Sequence, residues 1–221
     1  MIAVIGDIIK SKSILDRRKT QQDLQGVLQR INQSHQASLA SRLMITLGDE
    51  FQGLFNDGNG LLHILDEISF ALRPIRLRFG IGVGTLTTDL DPTTSIGADG
   101  PVYWKAREAI DYVHKNNDYG RANIHLGVQE PDGTVNLINH ILKLMALQVS
   151  GWRDSQTEVY KIILEEEIMD PEEINHQRIA EKLDILPSSL TRRLESSGIK
   201  RYMSACREVE LALERINKRY S

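Results

Sequence analysis

The stretch Met44-Ile45-Thr46-Leu47-Gly48-Asp49-Glu50-Phe51-Gln52-Gly53-Leu54-Phe55 decides how the chain is read. Two short apolar runs flank a Gly-Asp pair, a strong local signal for a tight β-hairpin. Most hairpin tips are solvated and dispensable. This one carries two carboxylates, Asp49 and Glu50, and a further acid, Asp7, ends the first apolar run of the chain. Strand-end carboxylates suit Mg²⁺, which takes one or two of them together with water and phosphate oxygens. Acids at turns are also common as plain solvated residues, so the reading rests on the combination.

Working outward, residues 1–6 read as a central strand buried on both faces. The loop Ile8-Ile9-Lys10-Ser11-Lys12-Ser13 follows, with a helix cap at Ser13 or Asp16. Leu24, Val27, Leu28 and Ile31 then keep helical spacing. Such a strand–loop–helix unit presents backbone N–H groups and ammoniums to phosphate, or is a simple polar loop. After the hairpin, Leu61, Ile64, Leu65, Ile68 and Leu72 predict a helix ending near Pro74. Residues 75–84 alternate cleanly. Ile75, Leu77, Phe79, Ile81 and Val83 share one face, and Arg76, Arg78, Gly80, Gly82 and Gly84 the other. Glycines in a strand point to close approach of a backbone, a packed helix or a ligand on that face. A long polar loop fills 85–99, and helices over 101–115 and from Val135 to Met145 bracket a strand over 121–128. Strands alternate with helices around one hairpin, giving a sheet covered by helices.

The 221 residues suffice for one large domain or for a medium and a small one. A hydrophobic content of 41% with 26% charged residues predicts a packed core. The net charge of −3 argues against a uniformly basic nucleic-acid binder, and aromatics at 5% argue against base-stacking platforms. One cysteine, Cys206, excludes an intramolecular disulfide and a cysteine-rich zinc site. No apolar run reaches membrane-spanning length and no basic leader opens the chain, so no membrane partner and a cytoplasmic location are expected. The six histidines are read as not clustering with acids, so no pH switch is expected.

A boundary is expected near Ser150-Gly151, separating a 1–150 domain from an all-helical 151–221 domain. Ser155 and Glu158 have capping-box spacing, and Asp170-Pro171-Glu172-Glu173 reads as the start of a helix running to Leu183. A turn at 184–187 leads to the next helix, and a last one spans about 201–216. Residues 177–194 have helix-turn-helix spacing, with Ile179, Ala180, Leu183, Ile185, Leu190 and Leu194 locking two helices. Ser188, Ser189, Thr191, Arg192 and Arg193 would then face DNA phosphates and base edges. The alternative is a helical bundle used for docking or dimerisation.

Val4 to Ile9, Leu47 to Phe51 and Leu77 to Gly84 together resemble the metal-binding strand, Gly-Asp hairpin and glycine-containing strand of class III and GGDEF-type nucleotide cyclases. Residues 177–194 resemble the helix-turn-helix of sigma-factor region 4, with Asp184 where the turn usually has glycine. The whole chain resembles the SatD family, whose motifs stand here at Asp7–Ser11, Gly48–Gly53, Gly97–Pro101 and 177–194. These resemblances imply an α+β fold: a palm-like, ferredoxin-like, mostly antiparallel sheet with helices on one face, plus a small helix-turn-helix domain. They imply Mg²⁺ or Mn²⁺ bound by Asp7, the Ile8 carbonyl and Asp49. They imply a nucleotide held near Ile9, Lys10, Ser11, Lys12, Glu50 and Arg78, and a homodimer.

The cyclase helix carries an Asn and, four residues on, an Arg; this chain offers Tyr103 and Arg107, or Trp104 and Glu108. A base-selecting Lys is replaced near Ile45. Loss of a charge-stabilising group costs about two or more powers of ten in rate, so cyclase activity is not carried over. The expectation is a DNA-binding regulator that binds metal and nucleotide. The alternatives are an active cyclase or nucleotidyltransferase, with Arg76, Arg78, Lys105 or Arg107 standing in, and a purely structural protein.

Overall fold

The N-terminal apolar run becomes the middle strand of the sheet. In the computed structural model, which describes residues 1–116 and 120–220, β1 (Ile2–Ile8) lies between β3 (Glu50–Phe55) and β4 (Leu77–Val83), antiparallel to both. β2 (Leu39–Leu47) pairs antiparallel with β3, and β5 (Ile124–Val128) pairs parallel with β4, giving the order β2-β3-β1-β4-β5. The predicted α+β class, with a mostly antiparallel sheet, is what forms. Asp7 does not end the first strand as expected. It is paired inside it, opposite Glu50 on one side and Arg78 on the other.

The hairpin forms as its sequence dictates. Gly48 takes a φ of +54, the left-handed region that glycine enters freely, and the turn closes over Gly48-Asp49. β5 is shorter than the predicted 121–128 because only residues 124–128 find a partner along β4.

Helices cover both faces of the sheet, not one. α3 (Pro101–Lys115) lies on the face carrying Ala3, Ile5, Gly80 and Gly82, where Val102, Ala106 and Ile110 are buried. The two glycines permit this. A Cβ on Gly82 would stand 2.0 Å from the Val102 carbonyl oxygen, and one on Gly80 2.2 Å from that of Ala106. The glycine face of β4 is therefore occupied by a helix backbone. On the other face, Val4, Phe51, Phe79 and Ile81 meet α1 (Arg17–Ser34), α2 (Leu61–Ala71) and α4 (Gly133–Ser150). Leu24, Val27, Leu28 and Ile31 of α1 are all buried there, each contributing about 1.5–3 kcal/mol of transfer free energy. Asp16 caps α1 by accepting from the Lys19 amide.

The same core continues into the last third of the chain: α5 (Asp154–Glu165), α6 (His176–Lys182), α7 (Pro187–Ser197) and α8 (Ile199–Asn217). The anticipated capping box at Ser155 and Glu158 is displaced: Arg153 donates its amide to the Gln156 side chain, and the helix begins two residues earlier. The helix anticipated from Asp170 breaks in two. Asp170 caps only a 3-10 turn over Pro171–Glu173, and Asn175 caps a separate α6 by accepting from the Arg178 amide. Among the described residues the sheet has five strands, accompanied by eight α-helices, and none of those helices is long and apolar enough to cross a membrane.

Candidate functional site

The register of the three central strands assembles the site. Directly opposed residues of an antiparallel pair share a face, so Asp7, Glu50 and Arg78 stand side by side at one end of the sheet. The Ile8 amide donates to the Asp49 carbonyl at 3.1 Å, so the ends of β1 and the hairpin meet. Two residues far apart in sequence, Asp7 and Asp49, thereby become neighbours through their backbones.

Both inner acids are held by guanidinium groups. Arg78 is bidentate on Asp7, with Nε at 2.5 Å from Oδ1 and Nη2 at 2.8 Å from Oδ2. Arg107, delivered by α3, is bidentate on Glu50 at 2.5 and 2.7 Å, and Thr46 Oγ1 donates to the same carboxylate at 3.1 Å. The Arg107 bonds, set against partial burial, hold the Glu50 carboxyl below the usual carboxylate range. Of the two alignments with the cyclase helix, it is Arg107 that faces the acids. Trp104 instead donates its indole N–H to Asp99, and Glu108 pairs with Lys105. Tyr103 is buried in the core under α3, and burial pushes its phenol up to about 12.

The loop after β1 is partly engaged. The Ile9 amide donates to the Arg76 carbonyl at 2.9 Å, so it is not open to a phosphate. Lys10 stands at φ 57, and its carbonyl receives both the amide and the hydroxyl of Ser13. Among the described residues no group of three or more His, Cys, Asp or Glu side chains gathers as a ready cation cage.

Two further motifs have structural work. Gln52, inside the hairpin motif, donates to the Ser95 carbonyl at 2.6 Å and accepts the Ser95 hydroxyl on its own carbonyl at 3.1 Å, tying the 85–99 loop to the sheet. In Gly97–Pro101, the Asp99 carbonyl receives the Thr87 amide and hydroxyl, and Pro101 opens α3. Gly100 sits where a Cβ would meet the Thr87 nitrogen at 2.7 Å. That motif lies by Gly82 and Gly84, at the opposite end of β4 from Arg78. Sequence reading missed the roles of Thr46, Gln52 and Ser95, because each partner comes from another segment.

In the C-terminal helices, α6 and α7 are joined through Asp184, which takes a φ of 51. Ile179, Ala180, Leu190 and Leu194 are buried between the helices, and Leu183 and Ile185 partly so. Ser188 and Arg192 are exposed and Ser189 is half-buried. Thr191 lies 3.2 Å from the His176 ring and donates to the Pro187 carbonyl. Arg193 turns inward, donating to the Ser155 carbonyl and lying 3.8 Å from Glu158.

The histidines do not all stand apart from acids, as the sequence alone indicated. Helix α2 brings His63 to 3.3 Å and the chain fold brings His35 to 3.0 Å of Glu67. Burial opposes the Glu67 charge, yet these contacts bring its carboxyl down to about 2. On the same helix Asp66 accepts from Tyr160 at 2.7 Å and from Tyr202 at 2.8 Å, joining α2 to α5 and α8.

Fold and site together define an α+β protein in which a mixed five-stranded sheet presents two arginine-held carboxylates at one end and packs against a helical C-terminal third. The SatD family model matches residues 1–214, and the chain belongs to the SatD family. No curated protein and no solved structure matches it.

Proposed function

We propose that the end of the sheet binds a nucleoside polyphosphate together with Mg²⁺ or Mn²⁺, and that the C-terminal helices read DNA. The chain would then be a cytoplasmic nucleotide-responsive regulator, dimeric by analogy with cyclases, acting without cyclase chemistry. One observation carries this reading: strand register places Asp7, Glu50 and Arg78 together, and a backbone hydrogen bond places Asp49 beside them.

The donor set fits a cation only in company with phosphate. Asp7 has both oxygens on Arg78, and Glu50 has both on Arg107. Guanidinium forks match phosphate oxygens as well as carboxylates. A polyphosphate that takes the two guanidiniums frees Asp7, which with the Ile8 carbonyl and Asp49 would hold the ion. A bound dication there neutralises and bridges phosphate oxygens. The Lys10 and Lys12 ammoniums and the Ser11 hydroxyl would complete the anion-facing side.

The helix-turn-helix reading is supported by the α6–α7 packing and by Asp184 in the left-handed conformation where such turns place glycine. Ser188, Ser189 and Thr191 offer hydroxyls and Arg192 an exposed guanidinium, whereas Arg193 braces α5. From Glu172 onward the chain carries about ten basic and about eight acidic residues, a weak argument for DNA. Arg107 also favours a second reading, an active nucleotidyl cyclase or nucleotidyltransferase, because it brings a guanidinium to the acids; Tyr103, buried in the core, supplies no partner group.

Calorimetric titration of the full chain with each Mg²⁺-nucleoside triphosphate tests the first reading. At least one is expected to bind, and Asp49→Ala to weaken it about tenfold or more. Absence of binding, or equal binding by the variant, would overturn it. Mass spectrometry of the same mixtures with Mn²⁺ tests the second reading: a cyclic or linked product is expected only if it holds.

A further inference from the structure

A cleft of about 970 Å³ opens on the side of the molecule where α2, β4, β5 and α4 meet α5. It is separate from the cluster around Asp7: neither Asp7, Asp49, Glu50 nor Arg107 lines it. Its volume falls within the range of roughly 300–1,000 Å³ usual for small-molecule sites. The floor is apolar and aromatic, with Phe70, Met145 and Trp152 among its lining residues. Phe70 and Trp152 belong to an aromatic cluster with Tyr160 and Tyr202, ring centroids 5.1 to 6.1 Å apart.

Charge decides what fits. Two of the acids lining the cleft have partners: Asp66 accepts from two tyrosine hydroxyls, and Glu158 lies 3.8 Å from Arg193. Arg73 donates to Thr157 at 2.8 Å and lies 4.0 Å over the Phe70 ring. Three other cations line the cleft. Arg76 donates to the Gly120 carbonyl, and among the described residues Arg121 and Lys161 have no carboxylate within ion-pair distance. An apolar floor beneath cations that, among the described residues, have no ion-pair partner calls for a ligand with the opposite arrangement.

We propose that this cleft binds an amphipathic organic anion, its hydrocarbon or aromatic body on the Phe70–Trp152 floor and its acid group toward Arg121 and Lys161. Such a ligand touches α2, β4, β5 and α4 on one side and α5 on the other, and so bridges the sheet body and the C-terminal helices. The proposal stands independently of nucleotide binding at the sheet end.

The chain has two tryptophans, and only Trp152 lines the cleft, so a Trp104→Phe background isolates its emission. Decanoate is titrated against this protein, with decan-1-ol as the uncharged control. Saturable change in emission with decanoate is expected, the alcohol binding at least about tenfold more weakly. A double variant, Arg121→Glu with Lys161→Glu, is expected to weaken decanoate about tenfold or more and to leave the alcohol unaffected. Both positions are at the surface or half-buried, and circular dichroism confirms that the fold is kept. No saturable change, equal affinity for the alcohol, or unaltered decanoate binding by the folded double variant would each overturn the proposal.

Discussion

At the scale of single residues, the account turns on carboxylates that are already partnered. Asp7 and Arg78 are 71 residues apart in the chain, and Glu50 and Arg107 are 57 apart. Only strand register and the path of α3 bring them together. Both pairs are partly shielded from water, with the Arg78 and Asp7 side chains 13% and 21% exposed. Removing Arg78 takes away both hydrogen bonds to the Asp7 carboxylate and leaves only the more distant charge of Arg107, which raises the appetite of Asp7 for a cation. Arg78→Met is expected to let Mn²⁺ bind without nucleotide, about tenfold more tightly than the parent chain, and to weaken triphosphate binding by a similar factor. Isothermal titration with the metal alone and with the triphosphate separates the two effects. A variant that gains nothing for the metal would show that Arg78 does not guard Asp7.

At the scale of elements, the glycines of β4 show how a sequence signal was correct but open. Alternation fixed the strand, and the small face implied a close neighbour; α3 is that neighbour. Gly82→Ala would drive a methyl into the Val102 carbonyl, backbone that cannot rotate aside. A loss of about 2–3 kcal/mol in unfolding free energy is expected by urea denaturation, while alanine at the open Gly26 position, in the middle of α1, should be neutral or stabilising. In the α6–α7 turn, Asp184 holds a positive φ that an L residue adopts at some cost. Asp184→Gly is expected to raise stability by about 0.5 kcal/mol, read from the same denaturation curves. On α7 itself, Arg192 is the exposed guanidinium. Arg192→Ala is expected to weaken DNA binding across sequences and to flatten its salt dependence, as fluorescence anisotropy at several ionic strengths would show. Helical spacing made α6 and α7 legible, but not that Arg193 would turn toward Ser155. That contact depends on α5, whose placement no local pattern encodes.

At the scale of the molecule, the sheet body and the C-terminal helices share a seam rich in titratable groups. Glu210 of α8 accepts the Leu62 amide at 2.8 Å, facing the N-terminal turn of α2. Burial pushes the Glu210 carboxyl up to about 7 and that of Asp66 up to about 6, against the Leu62 amide and the Tyr160 hydroxyl, respectively, which favour the charged forms. Their ordinary values are 4.5 and 3.8, so between these and the raised values the folded chain binds more protons than the unfolded one. Stability from these acids is thus greatest below about pH 4 and falls as pH rises through 6 to 7. Glu67 acts oppositely: its lowered carboxyl contributes stability above 4.5 that is lost as pH falls toward 2. Thermal midpoints should therefore decline from pH 5 to pH 8, and Asp66→Asn should flatten that decline. The strands, the hairpin and most helices were readable because each is written in local spacing. The seam was not, since Asp66, Tyr160, Tyr202 and Glu210 look like ordinary helix residues until the helices pack. The acids Asp7 and Glu50 were legible from the start, but their pairing with Arg78 and Arg107 was not, for the same reason.

The central claim is that cation and triphosphate enter the sheet end together. Mn²⁺ paramagnetic resonance of the full chain, with and without a non-hydrolysable nucleoside triphosphate, tests it most directly. The account predicts little protein-bound Mn²⁺ alone, and a bound signal with triphosphate that exceeds the Mn²⁺-triphosphate mixture and disappears in Asp49→Ala. Tight Mn²⁺ binding without triphosphate, or a spectrum of the mixture unchanged by the protein, would contradict it.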